Sequence, residues 1–126
     1  MASLPAKIRT ARPRDVRAAW WTLRATAAVR RQLASGALDS VRLPPVPRVG
    51  AEAGRAVRAV LRRKSATCLE TALVLQRWRA SHGDERELVI GVTAPSKGFK
   101  AHAWLEGDPP CHDEGFHELV RRGSPG

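Results

Sequence analysis

The stretch SATCLETALVLQRWRA, residues 65–80, decides the fold, because it joins a helix start signal to a broad apolar stripe. Thr67 and Glu70 have the spacing of a capping box, in which each side chain accepts a hydrogen bond from the other residue's backbone amide. This spacing predicts a helix over residues 68–80 with Cys68 in its first position. The stripe is broad, so we expect this helix to be central. Its apolar residues are Leu69, Ala72, Leu73, Leu75 and Trp78.

Two more helices are predicted on the N-terminal side of this stretch. Apolar residues at spacings of three and four, with Pro13 suited to a first turn, predict a helix over residues 14–34 that ends at Gly36. The residues that set this period are Val16, Trp20, Leu23 and Ala27. The proline-rich segment 43–47 is predicted to be an extended connector, because a proline disfavours helical geometry at the residue before it. A shorter helix is predicted over residues 52–63.

Two strands are predicted on the C-terminal side, joined by a hairpin connection at residues 94–98. Residues 88–93 form a short apolar run, and residues 99–106 alternate between two faces. One face holds Phe99, Ala101, Ala103 and Leu105, and the other holds Lys100, His102, Trp104 and Glu106. Helices followed by strands indicate an α+β fold, with N-terminal helices before a central helix that packs on a short antiparallel sheet.

The composition favours a cytoplasmic protein with no membrane partner. No apolar run approaches the roughly 18 residues that a membrane span needs, and residues 1–17 lack the apolar stretch of a secretory signal. Cys68 and Cys111 are the two cysteines, too few for a secreted disulfide scaffold of this size. A disulfide between them is not expected in a reducing compartment.

The charge is unevenly distributed along the chain. Residues 1–64 hold 15 Lys and Arg residues against three acidic ones, whereas residues 65–126 hold seven against nine. A nucleic-acid partner is not expected, because no recognition helix or aromatic-interleaved strand accompanies the basic half. We expect instead that the first helix docks an acidic partner, although arginines on a solvated face would give the same pattern. The candidate docking residues are Arg17, Arg24, Arg30, Arg31 and one of Trp20 and Trp21.

Cys68 is a candidate nucleophile because of its place at the start of a helix. The positive end of the helix dipole and the backbone amides there favour a thiolate, and the same amides can hold an oxyanion. His102 is the matching candidate base, since a strand histidine beside a helix N-terminus can hydrogen-bond a thiol. Each residue alone has a structural alternative, a buried small hydrophobe for Cys68 and a satisfied core histidine for His102.

Three segments taken together resemble a known family. Residues 65–78, the strand 88–93 and the strand FKAHAWLE at 99–106 look like the transglutaminase-like leader peptidases of lasso-peptide biosynthesis, a family related to microcin-processing enzymes. The basic helix with paired tryptophans and the proline-rich connector are similar to the stand-alone form of that family. The resemblance covers residues 14–122 and is most specific at Cys68 and at the His102-x-Trp104-x-Glu106 strand.

The resemblance implies a small papain-like cysteine protease core with a Cys-His-Asp triad. Carried over by position, Cys68 is the nucleophile and His102 the general base and acid. The third member falls in the segment 108–114, where Asp113 fits best and Glu114 and Asp108 are alternatives. Trp104 is expected to line the site and contact the substrate.

The family's activity is removal of the leader from a ribosomally made precursor peptide before a macrolactam ring closes. The implied partners are the precursor's leader, a small leader-recognition protein and an ATP-dependent cyclase similar to asparagine synthetase. No cofactor is expected. Two other functions stay open, a transglutaminase-type acyltransferase and a non-catalytic basic binding module. A metal site is not expected either, because the spacing of its candidate ligands matches no standard zinc pattern. Those candidates are Cys111, His112, His117 and His82.

With 126 residues, the chain has room for one domain. We expect a basic N-terminal tail at residues 1–13 and a single transglutaminase-like domain at residues 14–126. Within it, residues 14–50 hold the first helix and connector, and residues 51–122 hold the catalytic core.

Overall fold

The computed structural model describes residues 12–36, 40–92, 101–108 and 117–122. In this part of the chain the elements are α1 (Pro13–Ala34), a 3₁₀ turn (Ala51–Ala53), α2 (Gly54–Arg63), α3 (Cys68–Ala80), β1 (Leu88–Val92), β2 (Ala101–Leu105) and β3 (His117–Arg122). The α+β arrangement predicted from the sequence is confirmed. The hairpin connection predicted at 94–98 lies outside the described residues.

Helix α3 is central, as its broad apolar stripe predicts. A run of five consecutive residues is buried along it, and its side chains contact α1, α2 and the sheet. Gln76 lies within that run and is buried because its side-chain amide donates a hydrogen bond to the Arg86 carbonyl at 2.9 Å. The helix ends at Ala80, and Gly83 follows with a φ of +82°.

The three strands form an antiparallel sheet in the order β2-β1-β3. Ala103 and Leu105 of β2 are buried, whereas His102 and Trp104 are half-buried on the other side of the strand. The alternation predicted for this strand is therefore correct in its described part. Strand β3 is absent from the sequence prediction, and its register against β1 has a bulge opposite Ile90 and Gly91.

Helix α1 buries a face different from the one its larger apolar residues indicate. The buried residues are Ala18, Trp21, Thr22, Ala25, Thr26, Ala28 and Val29. Val16 and Trp20 are 58% and 64% exposed, so the apolar period that predicts this helix does not mark its buried face. Small side chains let α1 lie close against α2 and α3, and alanine and threonine barely register in a hydropathy pattern.

The connector after α1 is fixed to that helix through polar contacts. The Gln32 side chain donates to the Arg42 carbonyl at 2.6 Å and accepts from the Arg42 amide at 2.8 Å. The Trp21 indole donates to the Pro44 carbonyl at 3.0 Å, and its ring lies 5.7 Å from that of Trp78. The proline-rich segment therefore packs along the core instead of spanning open solvent.

Candidate active site

The capping box at the start of α3 has the geometry that the sequence predicts. The Glu70 amide donates to the Thr67 hydroxyl at 3.1 Å, and the Thr67 amide donates to the Glu70 carboxylate at 3.0 Å. Ser65, with a left-handed φ of 50°, makes the tight turn from α2 into this cap. Cys68 is thus held as the first residue of the helix. The helix itself supplies no acceptor for the amides of this first turn.

An arginine of α1 completes the cap, and this contact was not predicted from the sequence. The Arg30 guanidinium donates to Glu70 at 3.1 Å and to the Lys64 carbonyl at 2.7 Å. Glu70 is 9% exposed, and a carboxylate buried to that degree needs a charged partner. Arg30 was expected on the docking surface, but its guanidinium is engaged within the protein and ties α1 to the nucleophile helix. A capping glutamate on a central helix is expected to be buried and therefore to need a charged partner. That expectation is the signal that could have revealed the role of Arg30.

Cys68 and His102 come together across the interface of α3 and β2. The Cys68 sulfur lies 3.6 Å from Nδ1 of His102, and both residues are half-buried. A contact through Nδ1 leaves Nε2 as the ring position that an orienting acid has to meet. The structure therefore brings together the two candidate residues that the sequence predicts, although they lie 34 residues apart in the chain.

Cys68 is in a disulfide in this structure, contrary to the expectation of two unpaired thiols. The chain's other cysteine, Cys111, lies outside the described residues. A disulfide sulfur is not a nucleophile, so any thiol chemistry at this site belongs to the reduced form.

Asp108 is held by two arginines instead of a histidine. Its carboxylate oxygens accept from Arg79 at 2.8 Å and from Arg86 at 3.2 Å. The hydrogen bond and charge of Asp84, with a smaller contribution from Asp108, raise the pKa of the Arg86 guanidinium above its usual value. Because both of its oxygens are already paired, Asp108 is poorly suited to orient His102. Asp113 and Glu114, the other two candidates, lie outside the described residues.

The remaining candidate residues divide between core and surface. Trp21 is 4% exposed and packs inside the protein, so the expectation that it could contact a partner is corrected. Trp20 is exposed, as are Arg24 and Arg31. Trp104 is half-buried on the same strand face as His102, where it can line the site.

His82 has a structural place away from this site. Its Nε2 lies 2.8 Å from the Val49 carbonyl and its Nδ1 lies 2.8 Å from the Trp78 carbonyl, so it joins the end of α3 to the connector. Among the described residues no group of three or more histidine, cysteine or acidic side chains is placed to hold a metal ion. Nor does any described helix have the length and apolarity to cross a bilayer.

A thiol at a capped helix start, in contact with a strand histidine, is an arrangement suited to acyl transfer through sulfur. The sequence matches the transglutaminase-like superfamily over residues 5–121. The chain belongs to this superfamily. Transglutaminase-like proteins include cysteine proteases and acyltransferases. No curated protein and no solved structure matches the chain.

In this transglutaminase-like domain, the cap can be tested through Thr67. Thr67→Ala is expected to cost about 1 kcal/mol of unfolding free energy, as lost helix caps do. It should also move the pH profile of Cys68 alkylation to higher pH, because the amides facing the sulfur loosen. The rate of iodoacetamide labelling of the reduced protein against pH measures this shift.

The matched control is Ser81→Ala at the other end of the same helix, where the hydroxyl donates to the Trp78 carbonyl at 2.6 Å. It should lower stability without moving the alkylation profile. If Thr67→Ala and Ser81→Ala have the same pH profile of Cys68 alkylation, the cap has no part in activating the thiol.

Proposed function

We propose that this protein is a cytoplasmic cysteine protease that removes the leader from a ribosomally synthesised lasso precursor peptide before its macrolactam closes. The observation that carries the proposal is the 3.6 Å contact between the Cys68 sulfur and Nδ1 of His102 in a transglutaminase-like chain. The sequence resemblance at residues 65–78 and 99–106 supports the leader peptidase over other members of the superfamily.

The proposed reaction begins with the reduced Cys68 thiolate, which attacks the scissile carbonyl. First-turn amides of α3 hold the oxyanion of the tetrahedral intermediate. The His102 imidazolium gives its proton to the departing amine, and the acyl group stays on sulfur as a thioester. His102 then takes a proton from water, whose oxygen attacks the thioester. Collapse releases a carboxylic acid and the thiolate.

Purified, reduced protein incubated with the precursor peptide tests this function, with and without the leader-recognition protein. Mass spectrometry should show two fragments that together equal the precursor plus one water. Transfer of the acyl group to an added amine, with no hydrolysis, would identify an acyltransferase instead. An intact precursor that still binds the protein would identify a binding module.

The third member of the triad is proposed to be Asp113. Asp113→Asn keeps the side chain's shape but removes the charge that stabilises the imidazolium, so kcat should fall by roughly a hundredfold or more. Asp108→Asn should instead lower stability slightly through the loss of its two arginine pairs, with kcat retained. Kinetics and thermal unfolding of both variants, with Glu114→Gln beside them, separate the candidates. Loss of kcat in Glu114→Gln alone would move the assignment to Glu114.

The proposed partners are the precursor's leader, the leader-recognition protein and the ATP-dependent cyclase. Of these, the leader-recognition protein is proposed to bind α1. Val16 and Trp20 lie one turn apart and are the large apolar side chains most exposed in the described part of the chain. Arg17 and Arg24 lie within about one turn of Trp20, Arg31 lies about three turns further along the same helix, and all three are exposed. Tryptophan and arginine are enriched at binding hot spots, and positive charge speeds encounter with an acidic surface.

Reversing Arg17, Arg24 and Arg31 to glutamate is therefore expected to raise KM for the presented precursor by about tenfold and to leave kcat nearly unchanged. The effect should weaken as salt rises, because exposed charges are screened beyond roughly 8 Å at physiological ionic strength. Arg30 is left intact, since its loss would also disturb the Glu70 cap. Normal KM at low salt would make α1 a solvated face with no docking role.

A further inference from the structure

A groove of about 310 Å³ lies between α2 and the nucleophile helix. Its walls are Arg58, Leu61 and Arg62 of α2 on one side, and Thr71 and Leu75 of α3 on the other. Ser65 and Ala66, in the turn that precedes α3, also line it. The volume lies at the lower end of the roughly 300–1,000 Å³ range of small-ligand sites.

The α3 residues that line the groove lie on the side of the helix that carries the nucleophile. Thr71 and Leu75 are three and seven residues after Cys68, and residues at these spacings share a helix face. A peptide whose scissile carbonyl sits at the Cys68 sulfur can therefore place a neighbouring side chain in this groove. Within the described part of the chain, none of the other candidate functional residues lines it.

The groove combines an apolar floor with a positive rim. Leu61 and Leu75 are 3% and 7% exposed, and form the floor. Arg58 and Arg62 are exposed and lie one helical turn apart, a spacing at which like charges repel. Within the described part of the chain no ion pair joins either arginine to an acidic side chain. A carboxylate placed between them would relieve that repulsion and could accept from both guanidinium groups.

We propose that this basic groove, formed by residues 58, 61, 62, 65, 66, 71 and 75, binds an acidic side chain of the peptide substrate next to the scissile bond. The occupant has an aliphatic stem for the leucine floor and a carboxylate for the arginine rim, as a glutamate does. A nucleic-acid strand fits poorly, because none of the described residues that line the groove is an aromatic on which a base could stack. This assignment rests on the proposed peptidase function and adds a specificity site to it.

Peptide pairs that differ by glutamate or glutamine, one pair for each position flanking the scissile bond, test the groove. At one position, glutamate should raise kcat/KM by roughly tenfold over glutamine. The double variant Arg58→Glu with Arg62→Glu should abolish that preference and favour a lysine peptide instead. A matched control, Arg42→Glu with Arg48→Glu, makes the same charge change on the connector and should keep the glutamate preference.

Binding is measured separately by fluorescence anisotropy with Cys68→Ala protein, so that the groove and the reaction are tested apart. Tighter binding of the glutamate peptide, lost in the Arg58 and Arg62 variant, supports the groove even if no peptide is cleaved. Cleavage of glutamate and glutamine peptides at equal rates at every position overturns the groove and leaves the peptidase standing. Displacement of the glutamate peptide by a single-stranded oligonucleotide at lower concentration than by unlabelled peptide also overturns it.

Discussion

Replacing Cys68 by alanine is expected to lower the rate of leader removal by at least about a thousandfold, since loss of a nucleophile costs several orders of magnitude in comparable enzymes. Without sulfur there is no thioester, and His102 alone has no acyl acceptor to activate except water. The fold should persist, because alanine is a good first-turn helix residue and the Thr67–Glu70 cap does not involve the sulfur. Single-turnover cleavage of the precursor, followed by mass spectrometry, measures the loss.

The second cysteine gives a matched control for this substitution. Cys111→Ser removes a thiol of the same chemistry, and leaves Cys68 without another cysteine in its own chain. We expect this variant to cleave the precursor without added reductant, whereas native protein, with Cys68 in a disulfide, should require it. Cleavage by Cys68→Ala within about tenfold of the native rate would contradict the assignment of Cys68 as nucleophile.

The parts of the site that the sequence predicts correctly are those set by short-range geometry. Thr67 and Glu70 are three residues apart, so their capping box depends on little beyond the local helix. The faces of β2 likewise follow from strict alternation, which puts His102 opposite the buried Ala103 and Leu105. Helix α3 packs on β2, so Cys68 at the start of α3 and His102 on this face of β2 come into contact.

What the sequence does not reveal depends on long-range packing. Arg30 is 40 residues from Glu70. Nothing in the charge pattern separates it from Arg31, which forms no ion pair within the described part of the chain. The two adjacent tryptophans of α1 pose the same problem, because the small residues that surround Trp21 decide which ring is buried. Burial and pairing of these side chains are properties of the assembled helices.

Strand β3 is not predicted from the sequence for a different reason. Its register pairs Ile90 with Val120 and Gly91 with Glu118, so Leu119 is an extra residue at a bulge. A bulge shifts the alternation of side chains by one position in the middle of the strand. In a six-residue strand this leaves no run long enough to show a period of two.

Replacing His102 by glutamine is expected to lower the kcat for amide cleavage by about a hundredfold to ten-thousandfold, the range typical of general acid–base catalysis. Glutamine keeps a polar side chain on the half-buried face of β2 but carries no transferable proton. It also removes the imidazole 3.6 Å from the sulfur, so the Cys68 thiolate should form only at higher pH. Steady-state cleavage and the pH profile of iodoacetamide labelling measure the two effects.

His82→Gln is the matched control, since that histidine contacts the Val49 and Trp78 carbonyls and lies outside the site. It should lower the melting temperature while leaving kcat and the labelling profile of the folded protein unchanged. If His102→Gln behaves in the same way, with lost stability and normal chemistry, then His102 is a structural residue of β2.

The leaving group separates the two roles of His102. An amide needs its nitrogen protonated as it departs, whereas a nitrophenyl ester releases a stable phenolate without a proton. Both substrates need the Cys68 thiolate. If His102 acts as general acid, His102→Gln should lose far more activity on the amide than on the ester at a pH where the thiol is ionised. Equal losses on both substrates would mean that His102 only activates the sulfur, and that another group protonates the amine.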